Sequence, residues 1–311
     1  MGRARRSREL LVVLELGSNA TRCLLARVTP GVGFRVLDEE RVQTRLGGGP
    51  PGVLPREAVR ATLLTIRRFL RRVRDGESPR ILAVATSAVR DAENRERLLG
   101  PLRRREGIDV RVLSAGQEAR LAALAARESL ALRRGVVADL GGSSLQLSRL
   151  HRGRVVSVAT LPLGAVRATR RFLRHDPPTI GELRGLRRAV REELLAALPP
   201  GQRGEKIVGL GGTVRTLARI HLRAHGRRHA SRHGVRLRQS DVTAIRERLE
   251  PLSVKRRRRI RGLRAERADI ILAGAIVIEE VMTLGGYLTL LVCTHGVRDG
   301  LLLRETFDRE A

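Results

Sequence analysis

The chain has 311 residues, 42% of them hydrophobic, which is enough apolar material for a sizeable core and suggests two domains. Only 2% are aromatic and none is tryptophan, so stacking platforms for single-stranded nucleic acid are nearly absent and no specific nucleic-acid partner is expected. The formal net charge is +30, carried by arginine apart from Lys206 and Lys255; a polyanionic partner and a coding bias toward arginine both account for it, and the even spread along the chain favours the bias.

At the N-terminus a basic start leads into LLVVL, which stops at Glu15 and is too short for the apolar core of a secretory signal. No apolar run reaches the roughly 18 residues of a membrane span. Two cysteines, Cys23 and Cys293, give neither a disulfide framework nor metal spacing and read as core residues. A cytoplasmic protein without a membrane segment is the expectation. Residues 10–46 read as strands with tight turns: LLVVLEL, TRCLLARV and GFRVLDEERVQTRL. LGGGPPGVLP (46–55) is a turn-rich loop. From 56 to 73 the pattern turns helical, with Val59, Leu63, Ile66 and Leu70 three and four apart. RILAVATSAVRDAENRERLL reads as a strand, a loop at Thr86–Ser87 and a helix, and IDVRVLS (108–114) as another strand. GQEARLAALAARESLAL is helical, and Ser114 with Gln117 fits a capping box at its start. Glu118 lies in that first turn, where the simpler reading of its position alone is a solvated acid complementing the helix dipole.

After 135 the strand–turn–strand pattern restarts in GVVADLGGSSLQLSRL and GRVVSVATLPLGAVRATRRFL. A helix follows at 180–198, then strand, glycine turn and helix in IVGLGGTVRTLARIHL (207–222). ADIILAGAIVIEEVMTLG (268–285) reads as a buried helix, and the chain ends with a strand and a helix. His221, His225, His229 and His233 recur every four residues, but Gly226 and Gly234 interrupt the stripe, so a histidine metal site is not expected. KRRRRIR (255–261) reads as a solvated helix end or, less simply, as a patch that docks a polyanion.

Glu15-Leu16-Gly17-Ser18 aligns with Asp139-Leu140-Gly141-Gly142 as an internal repeat. In both, an apolar strand ends in an acid and small residues follow. Small residues let backbone N–H groups approach phosphate oxygens, and an acid on the strand can hold a metal-bound water. With the third glycine segment, GLGGT, this is the pattern of the actin-like ATPase fold. The expected class is therefore α/β, with two actin-like (ribonuclease H-like) domains and a phosphate-binding cleft between them. The first domain is placed at 1–125, joined by the C-terminal helix 297–311, and the second at 126–296.

The segments ELGSNATRCLL, ATSAVRDAENRERLL, VLSAGQEARLAAL, VVADLGGSSLQL, LPLGAVRATRRFL, VGLGGTVRTLARI, RADIILAGAIVIEE and GVRDGLLL cover almost the whole chain. In them the sequence resembles the exopolyphosphatase and guanosine pentaphosphate phosphatase family, in its short two-domain form. The resemblance implies a phosphohydrolase that removes the terminal phosphate from polyphosphate or guanosine pentaphosphate with a divalent cation, usually Mg²⁺. It places Glu118 at the catalytic glutamate that orients or deprotonates the attacking water. Gly17, Ser18 and Asn19 match the first phosphate loop, Gly141, Gly142, Ser143 and Ser144 the second, and Gly211, Gly212 and Thr213 the third glycine turn. Arg90 matches the arginine that suits an anionic chain, and Asp139 with Glu15 the metal-holding acids. The pattern departs at four places. Glu15 stands for the usual Asp, Ser143 for a glycine, Gln146 for a glutamate, and Cys293-Thr294 for Ser-Asp. A reduced-activity polyphosphate- or nucleotide-binding regulator, or an ATPase of the same superfamily, is the alternative function. The resemblance leaves substrate preference and oligomeric state open, a homodimer among the options.

Overall fold

The computed structural model describes residues 8–73, 79–197 and 205–307. The ends of three expected segments, 1–7 of the first domain, 198 of the helix at 180–198 and 308–311 of the C-terminal helix, lie outside them. The described chain divides into two compact units, residues 8–121 with 297–307, and residues 122–296.

The first unit contains strands β1 (Glu9–Leu16), β2 (Thr21–Thr29), β3 (Gly33–Val42), β4 (Arg80–Ala85) and β5 (Val110–Val112). Its helices are α1 (Arg56–Val73), α2 (Ser87–Arg90), α3 (Glu96–Glu106) and the first turns of α4 (Ala115–Leu130). The strand order is β3-β2-β1-β4-β5, with β1, β2 and β3 antiparallel and β4 and β5 parallel to β1. Leu11 to Leu16 of β1 are buried without a break, as in a strand covered on both faces, and Glu15 is the one acid in that run. Helix α1 buries Val59, Thr62, Ile66, Phe69 and Leu70, an apolar stripe at helical spacing, while Leu63 is only half-buried.

The second unit contains β6 (Gly135–Leu140), β7 (Leu145–His151), β8 (Arg154–Leu161), β9 (Lys206–Leu210), β10 (Arg236–Arg238) and β11 (Thr289–Val292). Its further helices are α5 (Ala165–Phe172), α6 (Ile180–Ala197), α7 (Gly211–Ala224), α8 (Gln239–Leu249), α9 (Val254–Arg257) and α10 (Ile271–Leu284). Strand order is β10-β11-β9-β6-β7-β8. Read from the meander outward, β8-β7-β6-β9-β11 repeats the order of the first sheet, so the sequence repeat is a repeat of folded units. Edge strand β10 and helix α8 lie in the arginine-rich segment 223–267, where α8 buries Val242, Ile245 and Leu249 at helical spacing. Helix α10 is buried from Ile271 through Met282, which fits its apolar character all round. Its two acids, Glu279 and Glu280, are buried against Arg187 and Arg191 of α6 and Arg246 of α8. The final helix, α11 (Val297–Phe307), packs with β1, β2 and β3 of the first unit.

Two local expectations are corrected. Ser87 opens a helical turn rather than sitting in a loop, because the N–H groups of Val89 and Arg90 both bond to the Thr86 carbonyl at 3.0 Å. Gly211–Thr213 is the first turn of α7 itself, not a turn ahead of it.

Candidate active site

In the first unit the β1–β2 turn carries Gly17, Ser18 and Asn19. Gly17 N–H donates to the Ala20 carbonyl at 3.2 Å, and a Cβ on Gly17 would lie 3.0 Å from that oxygen. The carbonyls of Ser18 and Asn19 accept from Gly47 N–H (2.7 Å) and Arg45 N–H (3.2 Å). The Ser18 and Ser87 hydroxyls lie 3.1 Å apart, which ties this turn to the start of α2. Thr86 N–H also donates to the Leu16 carbonyl, so the two strand ends are locked side by side.

Helix α2 delivers Arg90. Its Nη1 donates to the Leu113 carbonyl at 2.9 Å and to Glu118 Oε2 at 3.3 Å. Glu118 stands in the first turn of α4 behind the expected capping box, in which Ser114 N–H donates to Gln117 Oε1 (2.9 Å) and Gln117 N–H to Ser114 Oγ (3.2 Å). The Glu118 side chain is only 11% exposed, so this is not the solvated acid of the simpler reading. A charge-assisted contact from a guanidinium already anchored on a backbone carbonyl fixes its orientation.

Glu15 occupies a different setting. It pairs directly across the β1–β2 ladder with Arg22, whose Nη1 is 2.5 Å from Oε1, and Arg298 Nε of α11 is 3.6 Å from Oε2. Both oxygens therefore face guanidinium groups.

In the second unit the β6–β7 hairpin presents Gly141 to Ser144. Gly141 N–H closes the turn onto the Ser144 carbonyl at 3.0 Å. The start of α5 then takes the loop's other carbonyls: Ala165 N–H bonds Gly141 O at 3.0 Å, and Val166 and Arg167 N–H bond Gly142 O at 2.8 and 3.1 Å. The C=O and N–H of a trans peptide point in opposite directions. The N–H groups of Gly142 and Ser143 consequently face away from α5, as an anion-binding loop requires. Gly164 permits this approach, since a Cβ there would lie 2.2–2.4 Å from the backbone of Gly142, Ser143 and Ser144. Asp139 is paired across the ladder with Gln146, which is buried and donates its Nε2 to Ser144 Oγ at 3.0 Å.

Gly211 joins this half. Its φ of +94° is one that glycine adopts readily, and a Cβ on it would meet the Leu140 carbonyl at 2.1 Å and Asp139 Oδ1 at 3.2 Å. The N-terminus of α7 is thereby seated beside Asp139. Arg267 lies over Gly212, with Nη2 3.4 Å from Thr213 Oγ1. Sequence reading passed over Arg22, Ser87, Gly164, Arg267 and Arg298. Their only signal was membership of the matching segments.

Among the described residues no three of His, Cys, Asp and Glu are grouped to hold a metal ion. A Mg²⁺ ion keeps waters and needs only one or two carboxylates beside substrate phosphates. Asp139 fits that role as a single carboxylate at the strand end, next to the small residues of the hairpin. Glu15 does not fit, because Arg22 and Arg298 face its two oxygens. The histidines form no stripe: His221 and His225 have ring centroids 4.4 Å apart, whereas His233 packs edge-on to His295 and bonds the Ser129 carbonyl. The run 255–261 is not uniformly solvated, since Arg257 is 2% exposed and donates to the Leu249 carbonyl. Both cysteines are buried, and burial pushes the Cys23 thiol up to about 12, out of the reactive range.

Residues 24–308 match the model of the Ppx/GppA phosphatase family. Exopolyphosphatase 2 of Mycobacterium tuberculosis is 31% identical over 313 residues, which span 94% of this chain and 97% of that one. Exopolyphosphatase 1 of Mycobacterium leprae is 30% identical over 97% of this chain and 90% of its own. The crystal structure of the Aquifex aeolicus Ppx/GppA family member superposes with a TM-score of 0.81 at 27% identity, covering 96% of this chain and 98% of that one. An exopolyphosphatase structure from Cytophaga hutchinsonii, with a TM-score of 0.87 at 22% identity over 96% of this chain and 98% of that one, shares the fold. The two units are those of the actin-like ATPase fold.

Proposed function

The chain belongs to the Ppx/GppA phosphatase family and is a phosphatase, and we propose that it releases the terminal phosphate from inorganic polyphosphate, guanosine pentaphosphate or both. The observation that carries this reading is the Arg90–Glu118 pair, a buried carboxylate oriented by a guanidinium that is itself pinned to the backbone. Glu118 orients the lytic water and takes its proton. Arg90, partly exposed, offers its remaining donors to phosphate oxygens. The N–H groups of Gly142 and Ser143 in the second unit, and the turn at 17–19 in the first, are the phosphate-binding elements of this reading. Asp139 would hold Mg²⁺ through water, and the ion would supply further neutralisation of phosphate charge.

The net charge of +30 favours long-range capture of a polyanion, an effect that weakens as salt screens it. The deciding experiment measures phosphate release from long polyphosphate, guanosine pentaphosphate and ATP, each with and without Mg²⁺. Catalytic turnover of at least one of the first two is expected. Stoichiometric binding with no release, or release from ATP alone, would overturn the reading.

A further inference from the structure

Away from the phosphate loops, the second unit has a pocket of about 550 Å³ lined by His221, His225, Arg236, Arg238, Asp241 and Thr289. Its place follows from the sheet register. Thr289 opens β11, which runs parallel to β9 and through it to β6, so the pocket lies at the end of the sheet opposite Asp139. The two ends are joined by α7, whose first residue abuts Leu140 and whose last turn carries His221. At 14 residues, that helix is about 20 Å long.

The chemistry of the lining is electropositive and specific. Arg236 and Arg238 lie two apart on edge strand β10, so both project to one face while Leu237 is buried on the other. Neither guanidinium is ion-paired with a carboxylate among the described residues. By contrast, Arg187, Arg191 and Arg246 of the same unit are paired with Glu279 and Glu280. His225 Nδ1 lies 2.9 Å from the His221 carbonyl, so that nitrogen carries the proton. The single acid, Asp241, is committed locally: Oδ2 accepts from Arg238 N–H at 2.8 Å at the start of α8, and Oδ1 lies 3.7 Å from His221 Nδ1. Two unpaired guanidinium forks and a threonine hydroxyl form a donor set for oxyanions, and the two imidazoles line the pocket beside them. The volume falls in the range of small-molecule sites and exceeds what a single tetrahedral anion fills.

We propose that this pocket is a second anion site that binds a chain of at least two phosphoryl groups, separate from the phosphate loops of the same unit. Arg236 and Arg238 grip adjacent phosphoryl groups, the Thr289 hydroxyl donates to a remaining oxygen, and His221 and His225 flank the chain. A linear polyphosphate and the phosphate tail of a nucleotide share that chemistry, and the two are told apart by titration with tripolyphosphate and with GTP.

The test uses the full chain carrying Glu118→Gln, so that ligand survives the measurement. Imidazole resonances of His221 and His225 are followed by NMR during each titration, with calorimetry in parallel. Tripolyphosphate should shift both resonances, and Arg236→Gln/Arg238→Gln should abolish the shifts and weaken this binding event at least ~10-fold. Larger shifts with GTP than with tripolyphosphate would identify a nucleotide as the preferred source. Arg236→Glu alone, a single charge reversal on an exposed strand, gives the same readout should the double variant fold poorly. Resonances that do not move at millimolar ligand, or a binding isotherm unchanged in both variants, would overturn the proposal. Because these resonances report the pocket alone, they answer independently of whether the phosphate loops bind or turn over substrate.

Discussion

Glu15 and Arg22 face each other across the β1–β2 ladder with carboxylate and guanidinium 2.5 Å apart, and Arg298 closes on the second oxygen from α11. The longer side chain at this strand end thus meets two cations. Glu15→Gln should leave the Mg²⁺ concentration for half-maximal phosphate release within about twofold, whereas Asp139→Asn should raise it about tenfold or more. Direct Mn²⁺ binding followed by electron paramagnetic resonance checks the same order without turnover. A large loss of metal affinity in Glu15→Gln would return Glu15 to the metal.

Glu118→Gln keeps size and hydrogen bonding but removes the base. Phosphate release should fall roughly 10²-fold or more with KM little changed. Arg90→Met should also lower kcat, because it frees the carboxylate from its orientation at 3.3 Å, and should raise KM as well. Wild-type turnover in Glu118→Gln would remove that residue from the mechanism.

Gly164→Ala drives a methyl group into the backbone of the 142–144 loop, which must move to accept it. A shift of about 1 Å in such a loop can cost on the order of 10²-fold in kcat/KM. Gly262→Ala is the steric control. Its Cβ would meet the Arg219 carbonyl at 2.7 Å with φ at +94°, so it should lower Tm while leaving KM unchanged. Equal kinetic effects in both variants would show general destabilisation rather than loop displacement.

Gln146→Glu places a second carboxylate directly across the strand from Asp139 and removes the amide that donates to Ser144 Oγ. Two acids this close repel, so the rate at low Mg²⁺ should drop and its Mg²⁺ dependence should steepen. Mg²⁺ titrations of phosphate release in both proteins measure this. Superimposable titration curves would show that position 146 does not sense the metal.

Glu279 is buried beneath Arg246 and Arg187. Burial alone would raise its pKa, but the hydrogen bonds from Arg246 and Thr243 and the charges of the two arginines hold it below the usual carboxylate value. A depressed folded-state pKa gives stability that is present above the unfolded value and lost as pH falls through the folded one. Glu279→Gln should therefore destabilise by about 3 kcal/mol at pH 7, the scale for breaking a buried pair. The difference should shrink below pH ~4. Urea unfolding of both proteins at several pH values checks it, and a pH-independent difference would point to packing instead.

Periodicity and turn residues carried the sequence a long way. The stripe of α1, the capped start of α4, the buried run of α10 and the two acid–glycine hairpins are local patterns, and local geometry needs only neighbours in the chain. Within 223–267, α8 carries a short helical stripe of Val242, Ile245 and Leu249, whereas the three residues of β10 have no local signal and owe their strand to pairing with β11. The site divides the same way. Glu118, Arg90 and the small residues of both loops were legible because they sit in recognisable motifs. Tertiary structure alone decided that Arg90 holds Glu118, that Glu15 lies between Arg22 and Arg298, that α5 takes the carbonyls of the second loop, and that Arg267 covers Gly212. Apart from Glu15–Arg22, which strand register sets within one hairpin, those are contacts between segments well separated in the chain, and their energies depend on distances of a few ångströms that tertiary packing determines.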